Sequence, residues 1–144
     1  MTTDADRRAR AIADHMLSQE GTGPAWGIEI EEVREGYARI AMIVRADMLN
    51  GHRIAHGAMT FAIADTAFAY ACNSRNVATV AQQASIVFLS AAHEGERLVA
   101  EAKEAVVQGR TGVYEITVTV GDRTVAVFQG LSRTLGGPVF EELS

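Results

Sequence analysis

The stretch 56–74 constrains the fold of this sequence more than any other. It reads HGAMTFAIADTAFAYACNS, and its apolar run of about 16 residues, Gly57 to Cys72, is interrupted only by Thr60, Asp65 and Thr66. The run is shorter than the roughly 20 residues that a membrane-spanning helix needs, so it predicts a helix within a protein core. Because its apolar residues cover every side, a wrapped sheet or a second subunit is expected to enclose it.

Asp65 is a lone carboxylate near the middle of this predicted helix. Burying an ionised carboxylate without partners costs several kcal/mol, so chains seldom keep one unless it is paired or used. A hydrogen-bonded structural role is the alternative to a catalytic one, and the pattern of the helix alone leaves both open.

The remaining sequence predicts an α+β fold with one antiparallel sheet around the central helix. We expect a single domain over residues 1–144, with an N-terminal helix at about 4–20 that Thr3 and Asp6 cap, and a core at about 26–136. A hairpin that starts at Trp26 precedes the central helix. Four further strand-like runs follow it: VAQQASIVFL, RLVAEAKEAVV, TGVYEITVTV and TVAVFQGLSRTL. The tail GGPVFEELS is expected to be loosely held.

Composition excludes several classes of function. The 18 acidic residues outnumber the 13 basic ones, and the basic residues are scattered, which argues against binding to nucleic acid or to an anionic membrane. Cys72 is the only cysteine, so an intrachain disulfide and a multi-cysteine zinc site are ruled out, and no metal is expected. The absence of a secretory signal and of a disulfide favours the cytoplasm.

Polar residues cluster at the start of the central helix. Asn50, His52 and His56 precede it, and Gly57 begins it. The first N–H groups of a helix lack internal partners and lie at the positive end of its dipole, so they suit a developing oxyanion. Glycine at this point lets a substrate carbonyl come close.

Helix geometry separates Gly57 from Asp65. Eight residues at about 1.5 Å each place them roughly 12 Å apart along the axis, too far to act on one carbonyl carbon. A two-fold dimer with antiparallel central helices would bring Asp65 of one protomer beside Gly57 of the other. Asp65 could then attack a thioester carbonyl or activate a water for the attack. A thioester suits such a site because its thiol, with a pKa of about 8.5, leaves without a strong general acid.

The motif 50–74 resembles the signature of hot-dog-fold acyl-CoA thioesterases, in particular the phenylacetic-acid-degradation (PaaI-like) branch. It has the pattern N-x5-HG-x7-AD-x-AF followed by small residues and Asn-Ser, and the resemblance covers roughly residues 26–136. It implies a six-stranded sheet, a homodimer that pairs again into a dimer of dimers, and hydrolysis of aryl-acetyl-CoA or similar thioesters. Coenzyme A is then part of the substrate, and no cofactor is expected.

The resemblance also implies roles for individual residues. Asp65 matches the catalytic carboxylate and Gly57 the oxyanion donor, whereas Asn50 and His56 match residues that orient the carbonyl, the water or the loop. Binding residues for the substrate and its CoA group are expected at Gly109, Arg110, Arg133 and Ala58. Two departures concern binding: Ala58 replaces a second glycine beside the acyl pocket, and Ser90 with Ala91 replaces the usual Arg-Pro pair.

Two other functions are compatible with the same fold. A non-catalytic acyl-CoA-binding module or regulator would have no use for a desolvated carboxylate beside a thioester. A hot-dog dehydratase could pair His56 with Asp65, but the usual His-Phe-Pro type of loop is absent.

Overall fold

A computed structural model describes residues 1–141 of the chain. Three α-helices and six strands follow one another: α1 Asp4–Gln19, α2 Thr22–Trp26, β1 Glu29–Arg34, β2 Tyr37–Ile43, α3 Gly57–Cys72, β3 Thr79–Phe88, β4 Arg97–Gln108, β5 Thr111–Val120 and β6 Arg123–Thr134. A short 3-10 helix, Ala46–Met48, lies between β2 and α3. The strands form one antiparallel sheet in the order β1-β2-β4-β5-β6-β3. The predicted hot-dog architecture is confirmed.

The sheet wraps around α3, whose inner face forms the centre of the core. Ile63, Ala64, Ala67, Phe68 and Ala71 are buried there with inward-facing residues of β2, β4, β5 and β6. Gly130 of β6 allows the closest approach, because a Cβ atom at this position would lie 2.6 Å from the Phe68 ring. Small and large residues thus alternate where helix and sheet meet, which fixes the position of α3 across the sheet.

One side of α3 is not covered by the sheet. Ala58, Ala62, Asp65, Thr66 and Ala69 follow one another at helical spacing and are all exposed or half-buried. We call these five residues the open stripe of α3. Because four of them are alanine or threonine, a second helix could approach α3 closely along this stripe.

Strand β3 forms one edge of the sheet and pairs only with β6. Most of its residues are exposed, including Val80, Val87 and Phe88, the last at 53%. An exposed edge strand with apolar side chains can pair with a strand of another chain.

One prediction of local structure is wrong. Trp26 does not begin the hairpin but ends α2, because Gly27 adopts a left-handed φ of 67° that terminates this short helix, and β1 starts at Glu29. In the described part of the tail, Phe140 stacks on His15 with ring centroids 4.1 Å apart and hydrogen-bonds to Asn76. Residues 142–144 lie outside the described residues.

The capping box predicted for the first helix is confirmed. The Thr3 hydroxyl accepts a hydrogen bond from the Asp6 amide, and the Asp6 carboxylate accepts one from the Thr3 amide. Among the helices that the structure describes, none is both long and apolar enough to cross a membrane.

Candidate active site

The start of α3 presents a backbone donor without a partner. His56 is the N-cap residue, and its Nδ1 accepts a hydrogen bond of 3.0 Å from the Ala58 amide. The Met59 and Thr60 amides donate to the His56 carbonyl. The Gly57 amide forms no hydrogen bond within residues 1–141. Its N–H is therefore free for a ligand at the positive end of the α3 dipole.

This geometry gives His56 a positioning role within the chain. Because Nδ1 accepts from a backbone N–H, the neutral ring carries its proton on Nε2. His56 thus holds the first turn of α3 in place beside the free Gly57 amide, and its exposed Nε2 remains a possible donor.

A cavity of about 300 Å³ opens beside Gly57. Its walls include Asn50, Ile54, Thr60, Phe88 and Ser90. A larger depression of about 410 Å³ lies on the outer face of the sheet, around Glu115 and Gln129, and contains none of the predicted site residues. The smaller cavity is therefore the candidate site, since it joins a free helix-start amide to apolar walls.

Asn50 shapes the loop that closes this cavity. Its Oδ1 accepts hydrogen bonds from the His52 amide at 2.9 Å and the Ile54 amide at 3.4 Å. Within the described chain its amide NH₂ has no hydrogen-bond partner, so it can donate to a ligand. Asn50, His56 and Gly57 thus lie together at the start of α3.

Asp65 lies two turns further along α3, on the open stripe. It is half-buried, and no group in the described chain donates a hydrogen bond to its carboxylate. Burial raises the pKa of Asp65 above its ordinary value. A single chain therefore holds Asp65 and Gly57 apart at a helix-axis distance of roughly 12 Å.

The residues predicted to bind substrate lie elsewhere in the single chain. Gly109 and Arg110 form the β4–β5 turn, where Gly109 has a φ of 60° and the Arg110 carbonyl accepts from the Thr134 amide at 2.8 Å. Arg133 is exposed on β6. This end of the sheet lies at the far end of α3 from Gly57, because Thr79 pairs with Thr134 and contacts Asn73 after α3.

Ala58 lies on the open stripe and does not line the cavity. Ser90, which stands where the resemblance leads one to expect arginine, does line it and donates a hydrogen bond of 2.8 Å to the Thr124 carbonyl. Ser90 therefore supports the cavity wall and supplies no positive charge.

Among the cavity residues that sequence reasoning missed are Thr60 and Phe88. Thr60 follows Gly57 by one helical turn, so its spacing could have revealed it. Phe88 could not be found in this way, because it meets Gly57 only when the end of β3 is placed against the start of α3.

Neither a thiol nor a metal is positioned for chemistry here. Burial, and secondly the nearby charge of Asp65, raise the pKa of Cys72 to about 12, which keeps the thiol protonated at neutral pH. His52 and His56 have a spacing that zinc sites use, but within residues 1–141 no three His, Cys, Asp or Glu side chains converge to hold a metal ion.

Comparison with known proteins decides the family. The family model described as Thioesterase superfamily matches residues 52–127. The chain belongs to the thioesterase superfamily. It is 43% identical over 131 residues to the acyl-coenzyme A thioesterase PaaI of Escherichia coli K12, covering 90% of this chain and 94% of that protein. As a member of this superfamily, and of its PaaI-like branch, it is a thioester hydrolase.

Two solved structures share the fold of this chain. The structure of E. coli PaaI, from the phenylacetic acid degradation operon, has a TM-score of 0.91 at 40% identity and covers 94% of this chain and 99% of its own. A hypothetical thioesterase of Streptococcus pneumoniae TIGR4, solved with coenzyme A, has a TM-score of 0.74 at 24% identity, with 77% and 90% of the two chains covered, and shows the same fold.

Proposed function

We propose that this protein hydrolyses acyl-CoA thioesters of small aromatic acids, of the phenylacetyl or hydroxyphenylacetyl type, or of medium-chain acids, to the free acid and CoA. The observation that carries the proposal is the pair of unpaired groups on α3: the free Gly57 amide beside a cavity and the half-buried Asp65 carboxylate. The first suits an oxyanion, and the second suits a nucleophile or a general base.

A homodimer would bring these groups together. If the open stripes of two protomers packed with their helices antiparallel, Asp65 of each protomer would approach Gly57 of the other, giving two equivalent sites. The same contact would cover the apolar side of α3 that the sheet leaves open. Exposed Val87 and Val127 on the outer face of the sheet are candidates for the contact that joins two dimers into a dimer of dimers.

Two routes for Asp65 are consistent with this arrangement. As a nucleophile, it attacks the thioester carbon, CoA thiolate leaves, and water hydrolyses the resulting anhydride. As a general base, it takes a proton from water while the water oxygen attacks the same carbon. In both routes the Gly57 amide donates to the developing oxyanion, and the departing thiolate needs no strong acid.

We assign supporting roles to the remaining predicted residues. Asn50 donates its free amide to the carbonyl or the water, and His56 fixes the helix start. Ala58, on the open stripe, borders the acyl group at the dimer contact. Gly109, Arg110 and Arg133 come from the far end of the sheet, so in the dimer they would line the channel for the CoA chain, with the arginines facing its phosphates.

The Asp65→Asn variant tests the catalytic proposal. It keeps the size of the side chain but removes the charge, so kcat should fall by about two to three powers of ten while KM changes little. Release of free thiol from phenylacetyl-CoA measures both constants. Unchanged turnover would end the proposal, and binding of acyl-CoA without thiol release by the unaltered protein would indicate a non-catalytic module.

Mixing two inactive variants tests the shared site. Gly57→Pro removes the amide donor at the first helical position, where proline fits the backbone, and its Cβ also meets the Phe88 ring, so this variant should be inactive. Heterodimers of Asp65→Asn and Gly57→Pro chains contain one site with both groups intact. Activity should therefore reappear, up to about half of the original per mixed dimer, after the two are unfolded and refolded together. Mixtures that stay inactive although mass spectrometry finds heterodimers would exclude a site shared between chains.

A further inference from the structure

Thr60 presents a polar group to the cavity beside Gly57. The residue is only 2% exposed, yet its hydroxyl forms no hydrogen bond among the described residues. The same residues contain no fully enclosed side-chain oxygen or nitrogen that lacks a partner. The remaining exposure of Thr60 must therefore be at its hydroxyl, and Thr60 is one of the residues that line the cavity.

Thr66 on the same helix shows the usual alternative. Its hydroxyl donates a hydrogen bond of 2.7 Å to the Ala62 carbonyl, four residues earlier. Threonine in a helix commonly satisfies its hydroxyl in this way. Thr60 does not use the corresponding His56 carbonyl, which already accepts from the Met59 and Thr60 amides. Its hydroxyl is left free for a ligand.

The surroundings of Thr60 should let its hydroxyl discriminate between ligands with and without a polar substituent. Ile54, Phe88 and Val125 give the cavity apolar walls, and the Ser90 hydroxyl is already bonded to the Thr124 carbonyl. A buried hydroxyl without a partner costs free energy that a ligand hydrogen bond recovers. A ligand with a polar substituent at this point should bind better than one without it.

Helix geometry limits where this substituent can be. Thr60 follows Gly57 by three residues, which corresponds to about 4.5 Å along the axis, and helical side chains lean toward the N-terminus. A carbonyl oxygen on the Gly57 amide would then lie within a few ångströms of the Thr60 hydroxyl. A substituent on carbon 2 or 3 of the acyl chain is within reach, whereas the para position of a phenylacetyl ring is too distant.

We propose that Thr60 is a specificity-determining residue whose hydroxyl hydrogen-bonds to a hydroxyl or keto group on carbon 2 or 3 of the acyl chain. This inference rests on the proposed function, because it assumes that the thioester carbonyl binds the Gly57 amide. It extends that function to short acyl-CoA thioesters that carry an oxygen close to the carbonyl.

Thr60→Val tests the inference, because valine keeps the shape and removes the hydroxyl. The measurements are kcat/KM for two substrate pairs: 3-hydroxybutanoyl-CoA with butanoyl-CoA, and 4-hydroxyphenylacetyl-CoA with phenylacetyl-CoA. The variant should lower the 3-hydroxybutanoyl to butanoyl ratio about five- to tenfold, mainly through KM. The ratio of the second pair should not change. Thr117→Val, on the outer face of the sheet, is the matched control and should leave both ratios unchanged.

Several results would overturn the inference. One is an unchanged ratio of kcat/KM for 3-hydroxybutanoyl-CoA over butanoyl-CoA, and another is an equal loss of kcat/KM on all four substrates. A clear fall in the Tm of Thr60→Val would also overturn it, because it would mean that the hydroxyl is bonded within the protein. Failure of the unaltered protein to hydrolyse any of the four would instead remove the proposed function, and this inference with it. Detection of 3-hydroxybutanoate as product confirms thioester cleavage in place of water loss.

Discussion

The ring of Phe88 lies 3.1 Å from the position that a Cβ atom on Gly57 would occupy. The last residue of an edge strand thus packs directly on the residue that begins the central helix. Both residues line the cavity beside the free Gly57 amide. A side chain at position 57 would therefore require the Phe88 ring to give way by a few tenths of an ångström.

Gly57→Ala should therefore impair catalysis through Phe88. The added methyl group must displace the ring or shift the helix start, and we expect kcat to fall about ten- to hundredfold. Phe88→Ala removes the obstacle, so the double variant should lose less activity than the product of the two single losses. Steady-state hydrolysis of phenylacetyl-CoA by all four proteins gives this coupling. If the loss of activity in the double variant equals the product of the two single losses, the contact between Phe88 and position 57 does not affect catalysis.

The pH dependence of turnover should reflect Asp65. Both proposed roles need the ionised carboxylate, and burial raises its pKa above the ordinary value of 3.8. As pH falls, kcat should begin to drop at a higher pH than an exposed aspartate would give. A pH profile of kcat measures this. A profile that stays flat down to the ordinary pKa of aspartate would contradict it.

The stability of the fold should also depend on the ionisation of Asp65, but it should fall as pH rises, whereas kcat falls as pH falls. A carboxyl whose pKa is raised by folding favours the folded state below its unfolded pKa, and this contribution is lost as pH rises through the folded pKa. At neutral pH the Asp65→Asn variant should therefore have a Tm a few degrees higher than the unaltered protein. The difference should shrink at pH values below 3.8. Equal Tm values of the two proteins at every pH would mean that burial does not raise the pKa of Asp65.

Gly130→Ala should destabilise the fold. Its Cβ would lie 2.6 to 2.8 Å from three atoms of the Phe68 ring, which is 1% exposed and cannot easily move. We expect a loss of about 2 kcal/mol or more in the free energy of unfolding, measured with urea. Gly51→Ala is the control, because no atom lies within 4 Å of its added Cβ. A similar loss of unfolding free energy in both variants would mean that replacing glycine in the backbone, and not the contact with Phe68, causes the effect.

The docked tail gives a further test of packing. Asn76 accepts hydrogen bonds from the Val139 and Phe140 amides and donates one to the Phe140 carbonyl, and Phe140 stacks on His15. Phe140→Ala should lower the free energy of unfolding by about 1 kcal/mol. Asn76→Gly keeps the left-handed φ of 62° accessible but removes the three bonds. Combining the two should cost less than their sum, and strict additivity would argue against a single docking unit.

The sequence allowed the fold to be predicted because its strongest patterns are local. The apolar run around Asp65 marked the central helix, and alternation marked the strands. The helix that ends at Trp26 was missed because it is only five residues long and depends on the left-handed Gly27. At the site, Gly57, His56 and Asn50 could be predicted from their adjacency in sequence. Phe88 could not, because only strand pairing brings it there.

The ten-residue edge strand β3 has a consequence for the newly made protein. A long unpaired edge with exposed valine and phenylalanine is a template for aggregation until something covers it. If the twin chain covers it, slowly assembled protein will be the form most prone to precipitate, because its edge stays exposed for longer.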